Sequence, residues 1–184
     1  MECSWAFGGM LLLSLCAVAC ERSGGSPSPS QDKMLELRSH LGSTIVCPSR
    51  WTQEDNGDTW KITSEDGQAT ITIWVFRVAA TGTMDQFKSM MVDSIMREKK
   101  WKKLTEWTGV QIGDDPAWKV RLGSGDDAAS ESWGVFVLRT GEYYHAIVLA
   151  TSPTVLRFNG GFYEDVIRSF RGCRGKTMAE PGVH

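Results

Sequence analysis

Ala69-Thr-Ile-Thr-Ile-Trp-Val-Phe-Arg-Val78, followed by Thr83-Met-Asp-Gln86, is the stretch on which the fold turns. Its first half alternates Thr70 and Thr72 with Ile71 and Ile73, the period-two pattern of a strand with one covered face. Its second half is continuously apolar, as in a strand covered on both faces. This predicts a central strand of a sheet that carries helices. Thr83 and Gln86 then fit a capping box, each able to satisfy a free N–H of the other's backbone. Met84, Phe87, Met91 and Ile95 follow at helical spacing, with Met90 widening the stripe, so a helix is predicted to about Glu98. Its methionines read as core fillers.

Working upstream, Glu65-Asp-Gly67 is a turn that joins residues 59–63 to the central strand as a hairpin. Residues 52–58 read as a polar loop, residues 43–51 as a β-branched run stopped by Pro48, and residues 32–40 as a helical turn or lead-in strand. Downstream, four further strands are predicted at 102–107, 117–122, 132–139 and 142–150. Turns containing Gly113, Gly123 and Gly141 separate them. Ser152-Pro153 reads as the N-cap and first residue of a closing helix. Val155, Phe158, Phe162, Val166 and Phe170 form its expected apolar stripe, Gly160-Gly161 is expected to kink it, and Gly172 to follow its end. Strands with two main helices describe an α+β fold, a mainly antiparallel sheet with the helices packed on it.

These elements resemble the PsbP-like α/β/α sandwich, the fold of the photosystem II extrinsic subunit, a Ran-binding nuclear import factor and many small bacterial lipoproteins. The residues that carry the resemblance are Cys47-Pro-Ser-Arg-Trp51, Trp60-Lys-Ile62, Ala69-Thr-Ile-Thr-Ile73, Gly113-Asp-Asp-Pro-Ala117, Tyr143-Tyr144 and Ser169-Phe170-Arg171. The resemblance spans about Thr44 to Arg171 and implies assembly with a membrane complex.

The ends of the chain speak of location. Met10-Leu-Leu-Leu-Ser-Leu-Cys-Ala-Val-Ala19 is an apolar run about half the ~20 residues a membrane-spanning helix needs, and Cys20 follows it directly. Residues 1–19 are therefore read as a signal peptide, and Cys20 as the lipidated first residue of a bacterial lipoprotein. Residues 20–32, with Ser23-Gly-Gly-Ser-Pro-Ser-Pro-Ser30, form its flexible tether. Ala17-Val18-Ala19 is equally an A-x-A cleavage site, so plain secretion is the alternative. Residues 33–174 make up a single expected domain, and residues 175–184 a disordered tail. With Cys20 acylated, Cys47 and Cys173 remain as an even pair, and a disulfide between them is expected in an oxidising compartment. It would close a loop long enough to contribute about 4–5 kcal/mol.

The formal net charge of -2 at pH 7 argues against nucleic acid as a partner. Arg97-Glu-Lys-Lys-Trp-Lys-Lys103 reads as a solvated helix end leading into a strand. His40, His145 and His184 show no metal-ligand spacing, and His145 reads as a hydrogen-bonded sheet histidine. Glu54-Asp-Asn-Gly-Asp58 has oxygens and a glycine in calcium-loop style but lacks the downstream bidentate Glu. Neither a metal nor a cofactor is expected, and no hydrolase motif is present.

Trp74 and Trp118 are read as core. Trp51, Trp101 and Trp107, with Lys102 and Lys103, are read as a candidate binding surface. The expected function is that of a non-enzymatic, membrane-anchored envelope module that binds a protein partner. The alternatives are a carrier of a lipid, peptide or glycan in a Trp-lined pocket and, third, an envelope hydrolase.

Overall fold

The computed structural model describes residues 33–124 and 132–174. The expected signal peptide, Cys20, the tether, the acidic run at 126–131 and the tail lie outside them.

The first strands, β1 (Met34–Arg38) and β2 (Thr44–Pro48), form a separate antiparallel hairpin. Then come β3 (Thr52–Asp55), β4 (Thr59–Thr63), β5 (Ala69–Arg77), the helical turn α1 (Val78–Thr81) and the helix α2 (Met84–Lys99). After them run β6 (Lys102–Lys103), β7 (Thr108–Ile112), β8 (Asp115–Gly123), β9 (Ser132–Thr140), β10 (Tyr143–Thr151) and α3 (Pro153–Arg168). The main sheet is antiparallel in the order β3-β4-β5-β10-β9-β8-β6, and β7 also pairs with β8. β5 is thus an inner strand, flanked by β4 and β10.

The pleat sorts side chains to two cores. Ile71 and Ile73 of β5, Ile147 and Leu149 of β10, and Phe136 and Leu138 of β9 face α3, which supplies Tyr163, Val166, Ile167 and, just beyond its end, Phe170. The opposite face carries Val120 and Leu122 of β8, Val135 and Val137 of β9, and Tyr144 and Ala146 of β10. Against it α2 packs Phe87, Met91, Val92 and Ile95. Each fully buried large aliphatic or aromatic side chain here contributes on the order of 1.5–3 kcal/mol. The result is a helix–sheet–helix sandwich, with β1–β2 on the α3 side through Ile45 and Cys47.

Several local expectations hold. Thr83 and Gln86 form both halves of the capping box, and the Ser152 hydroxyl accepts from the Val155 N–H at 3.3 Å. Others do not. Residues 52–55 are a strand rather than loop, exposed at the sheet edge, where Gln53 Oε1 accepts from Trp60 Nε1 at 3.0 Å. The strand expected at 102–107 is only the two residues of β6, and β7 starts just beyond it, at Thr108, where no element was assigned. Met90 is exposed, and Val92 takes its place in the stripe. Gly160-Gly161 does not interrupt α3, which ends at Arg168 rather than running on to Phe170.

Residues from three separate parts of the chain meet at the end of α3. Gly113, in the tight β7–β8 turn at φ 60, donates its N–H to the Arg168 carbonyl at 2.8 Å. A Cβ at Gly113 would stand 2.7 Å from the Phe170 carbonyl oxygen, so no larger residue fits this approach. Thr44 and Arg171 exchange backbone hydrogen bonds of 2.9 and 2.8 Å, which lock β2 to the same segment.

Candidate functional site

Trp51 leaves the β2 end through a turn in which its N–H donates to the Pro48 carbonyl at 3.0 Å. Its half-buried ring stands edge-on to Phe162 at 6.2 Å and tilted against Tyr163 at 5.9 Å. Phe158 lies one helical turn before Phe162, on the same side of α3, and is 76% exposed. Met34, 43% exposed, pairs with Pro48 across the β1–β2 hairpin, and Leu35 beside it is also exposed. Phe158, Phe162 and Trp51 therefore make one aromatic band on the α3 side of the molecule. Lys33, the first described residue, accepts the Ser49 N–H at 2.8 Å, so the N-terminal segment joins the band close to Trp51.

A polar rim borders the band. Arg50 Nη1 lies 3.4 Å from both Glu65 carboxylate oxygens. The Ser64 hydroxyl and the Gln68 N–H hold the Asp66 carboxyl below its usual pKa. Burial, together with the Asp66 charge, pushes the Tyr163 phenol up. An apolar centre with a charged margin is the usual anatomy of a protein-binding patch.

The other residues expected to share a surface with Trp51 lie elsewhere. Trp101 is 8% exposed and packs edge-on against Trp133 at 4.9 Å, inside the core beneath α2. Trp107 is half-buried on that same side, where Lys88 Nζ sits 5.6 Å from its ring and 5.3 Å from that of Trp118. Lys102 and Lys103 are exposed on β6, with Lys103 bonded to Glu106 at 2.7 Å. Trp101, Trp107 and Lys103, which pairs with Leu122, lie on the α2 side of the main sheet and Trp51 packs on the α3 side, so the five do not form one patch. Phe158 is the residue that sequence reasoning misplaced, because the i+4 rhythm of α3 counted it among core positions.

Cys47 and Cys173 are both buried and both free, which corrects the expected disulfide. The register explains why. Thr44 faces Arg171, and Val46 N–H is bonded to the Ser169 hydroxyl, so Cys47 lies beyond one end of this short ladder and Cys173 beyond the other. At ~3.3 Å per strand residue the two sites are separated by roughly 15 Å, far outside the ~7 Å limit for a bridge. Burial pushes the Cys47 thiol up to about 11 and raises that of Cys173.

His145 is fully buried in β10 and meets Thr140 rather than any carboxylate. His40 is instead tied to Asp55, through its N–H and its Nδ1, at 2.7 Å each. Burial raises the Asp55 carboxyl, but the His40 bonds outweigh it and leave the group below its usual value. Among the described residues, no three His, Cys, Asp or Glu side chains are placed to hold a metal, and no helix is long and apolar enough to cross a membrane. Hollows occur among the described residues, two of which bear on a ligand. One, of about 780 Å³, opens broadly between Met84, Trp118, Arg139 and Tyr144. The other, of about 280 Å³, lies between α3 and the sheet. Only Trp118 among the tryptophans lines either, so neither is the Trp-lined pocket of the alternative reading.

No protein-family model and no curated protein matches the chain. Among solved structures it is similar to cyanobacterial PsbP (CyanoP) from Synechocystis sp. PCC 6803, with a TM-score of 0.57 at 9% identity, covering 81% of this chain and 98% of that one. It is also similar to the Saccharomyces cerevisiae Ran-binding protein Mog1p, with a TM-score of 0.54 at 12% identity, covering 79% and 98%. The fold is PsbP-like. At such identities the likeness concerns architecture, and the aromatic band belongs to this chain's own residues.

Proposed function

We propose that this chain is a membrane-tethered, non-enzymatic accessory module that binds a protein partner through the band around Trp51 and Phe158. The observation that carries this reading is Phe158, a large aromatic side chain left 76% exposed at the end of an otherwise packed aromatic row. Aromatic anchors inside a polar rim are where binding energy concentrates. The PsbP-like fold adds support, since a protein described as Ran-binding shares it. In this reading Cys20 carries the lipid, residues 20–32 form the tether, and the band meets an envelope partner near the membrane. Plain secretion after cleavage at Ala17-Val18-Ala19 is the alternative location.

A photo-crosslinking side chain placed at 158 tests the surface. It is expected to trap a discrete adduct in solubilised envelope, while the same side chain at the exposed Met90, on α2, traps none. Equal capture at both positions would remove the band from the proposal. For the anchor, a fatty-acid analogue is expected to label the wild type and spare Cys20→Ser; equal labelling would sink lipidation.

A further inference from the structure

The adjacent strands β10, β9 and β8 present Tyr144, Arg139 and Trp118 on the α2 face of the sheet. Tyr144 stands directly opposite Arg139 in the register, and Trp118 lies one pleat along, opposite Val137. α2 covers this face only from Met84 onward. Between Met84 and the three sheet residues remains the cleft of about 780 Å³, with Val78 and Pro116 completing its wall. That volume falls within the ~300–1,000 Å³ typical of small-molecule sites.

The floor of the cleft is fixed and aromatic. Tyr144 is only 2% exposed, with its ring stacked on Phe87 at 4.9 Å and its hydroxyl donating to the Gly82 carbonyl at 3.0 Å. Trp118 is half-buried, with Lys88 Nζ 5.3 Å from the centre of its ring. Such walls favour a flat apolar body, which can set its ring offset or edge-on to them.

Among the described residues that line the cleft, Arg139 is the only charged one. Its Nε donates to the Gly141 carbonyl at 2.9 Å, which holds the guanidinium at the hairpin end. The other N–H groups of Arg139 have no partner among the described residues, and no described carboxylate pairs with it. Lys88, beside Trp118, is by contrast matched by Asp85 at 2.7 Å. An unmatched planar cation next to an aromatic wall suits an anion that accepts two parallel hydrogen bonds. A single positive charge matches a carboxylate better than a doubly charged phosphate.

We propose that this cleft binds a small aromatic monocarboxylate, its carboxylate on the Arg139 guanidinium and its ring between Trp118, Met84 and Tyr144. The site lies on the α2 side of the sheet and is independent of the band around Trp51 on the α3 side. The test titrates 3-phenylpropionate and 3-phenylpropanol into the full-length protein and follows amide and indole N–H shifts. The carboxylate is expected to move the Gly82, Gly141 and Trp118 indole signals and to bind at least about fivefold more tightly than the alcohol. Arg139 is exposed, so Arg139→Gln should leave the melting temperature unchanged while erasing that preference. Met84→Glu sets a negative charge on the wall at a helix start, where it is well tolerated, and should weaken the carboxylate more than the alcohol. Arg97→Gln, exposed on α2 outside the cleft, should alter neither affinity. Absence of shifts at the three named groups with millimolar ligand, or an equal loss in Arg97→Gln, overturns the site. Equal affinity for the alcohol, or an undiminished preference in Arg139→Gln or Met84→Glu, overturns the carboxylate assignment.

Discussion

Thr140 Oγ1 and His145 Nε2 lie 2.6 Å apart beneath the backbone of Gly172, and this contact decides which imidazole nitrogen carries the proton. The Thr140 hydroxyl gives its one hydrogen to the Cys173 carbonyl at 3.0 Å, so towards His145 it can only accept. Nε2 is therefore the protonated nitrogen. Nδ1 keeps a lone pair, buried and without a hydrogen-bond partner among the described residues, while the ring stands edge-on to Phe170 at 5.3 Å. A second proton would create a buried cation with an orphan N–H.

Acid should consequently loosen this fold. Burial lowers the His145 pKa from 6.5 to about 4. Between those values the unfolded chain binds a proton that the folded chain refuses, so stability rises with pH. The contribution is fully present above pH 6.5, is lost as pH falls towards 4, and amounts to roughly 3 kcal/mol. Urea unfolding at a series of pH values should show this slope in the wild type and a flatter line in His145→Gln. Asp55 and Asp66, both held below 3.8, add their own loss only at lower pH.

Gly172 was expected merely to follow a helix end, and it serves instead as the lid of this contact. A Cβ there would come 2.5 Å from Thr140 Oγ1 and 2.7 Å from His145 Nε2. Gly172→Ala should cost about 1–3 kcal/mol through overpacking. In the Thr140→Ala background the penalty should shrink, because Oγ1 and Cγ2 of Thr140 are gone and only His145 Nε2 remains in the way. An unchanged penalty in the double-mutant cycle would mean that the strain lies elsewhere.

Hydrophobic period and capping chemistry made most elements readable. The alternation from Thr70 to Ile73 located β5, and Thr83 with Gln86 located the start of α2. Edge strands escaped for a physical reason. All four residues of β3 are exposed, so no burial pattern is imposed on them, and β7 has only Ile112 fully inside. The candidate site was half visible. Trp51 was singled out, but its neighbours Phe162 and Tyr163 come from a helix far along the chain. Trp101 looked exposed among lysines until Trp133 covered it. Cysteine parity misled because counting thiols says nothing about register.

Thiol chemistry should follow the register. Native protein at pH 8 is expected to leave Cys47 and Cys173 unmodified by an alkylating reagent, with or without reductant, because both are buried with raised pKa values. Denaturant alone should expose both. Protection that persisted in denaturant until reductant was added would restore the bridge.

Phe158 and Phe162 occupy successive turns of one helix face and should behave oppositely. Phe162 packs on Trp51 and Tyr163, so Phe162→Ala removes buried contacts and an edge-on pair, and a loss of about 1–2 kcal/mol is expected. Phe158 has given up little solvent, so Phe158→Ala should change stability by less than about 0.5 kcal/mol. Urea unfolding of the two variants measures the difference directly. If Phe158→Ala abolishes the envelope adduct formed by a crosslinking side chain at the exposed Met34 while its unfolding curve overlays the wild type, the ring serves contact rather than folding. A loss of stability equal to that of Phe162→Ala would instead make Phe158 part of the packed row and deprive the band of its exposed anchor.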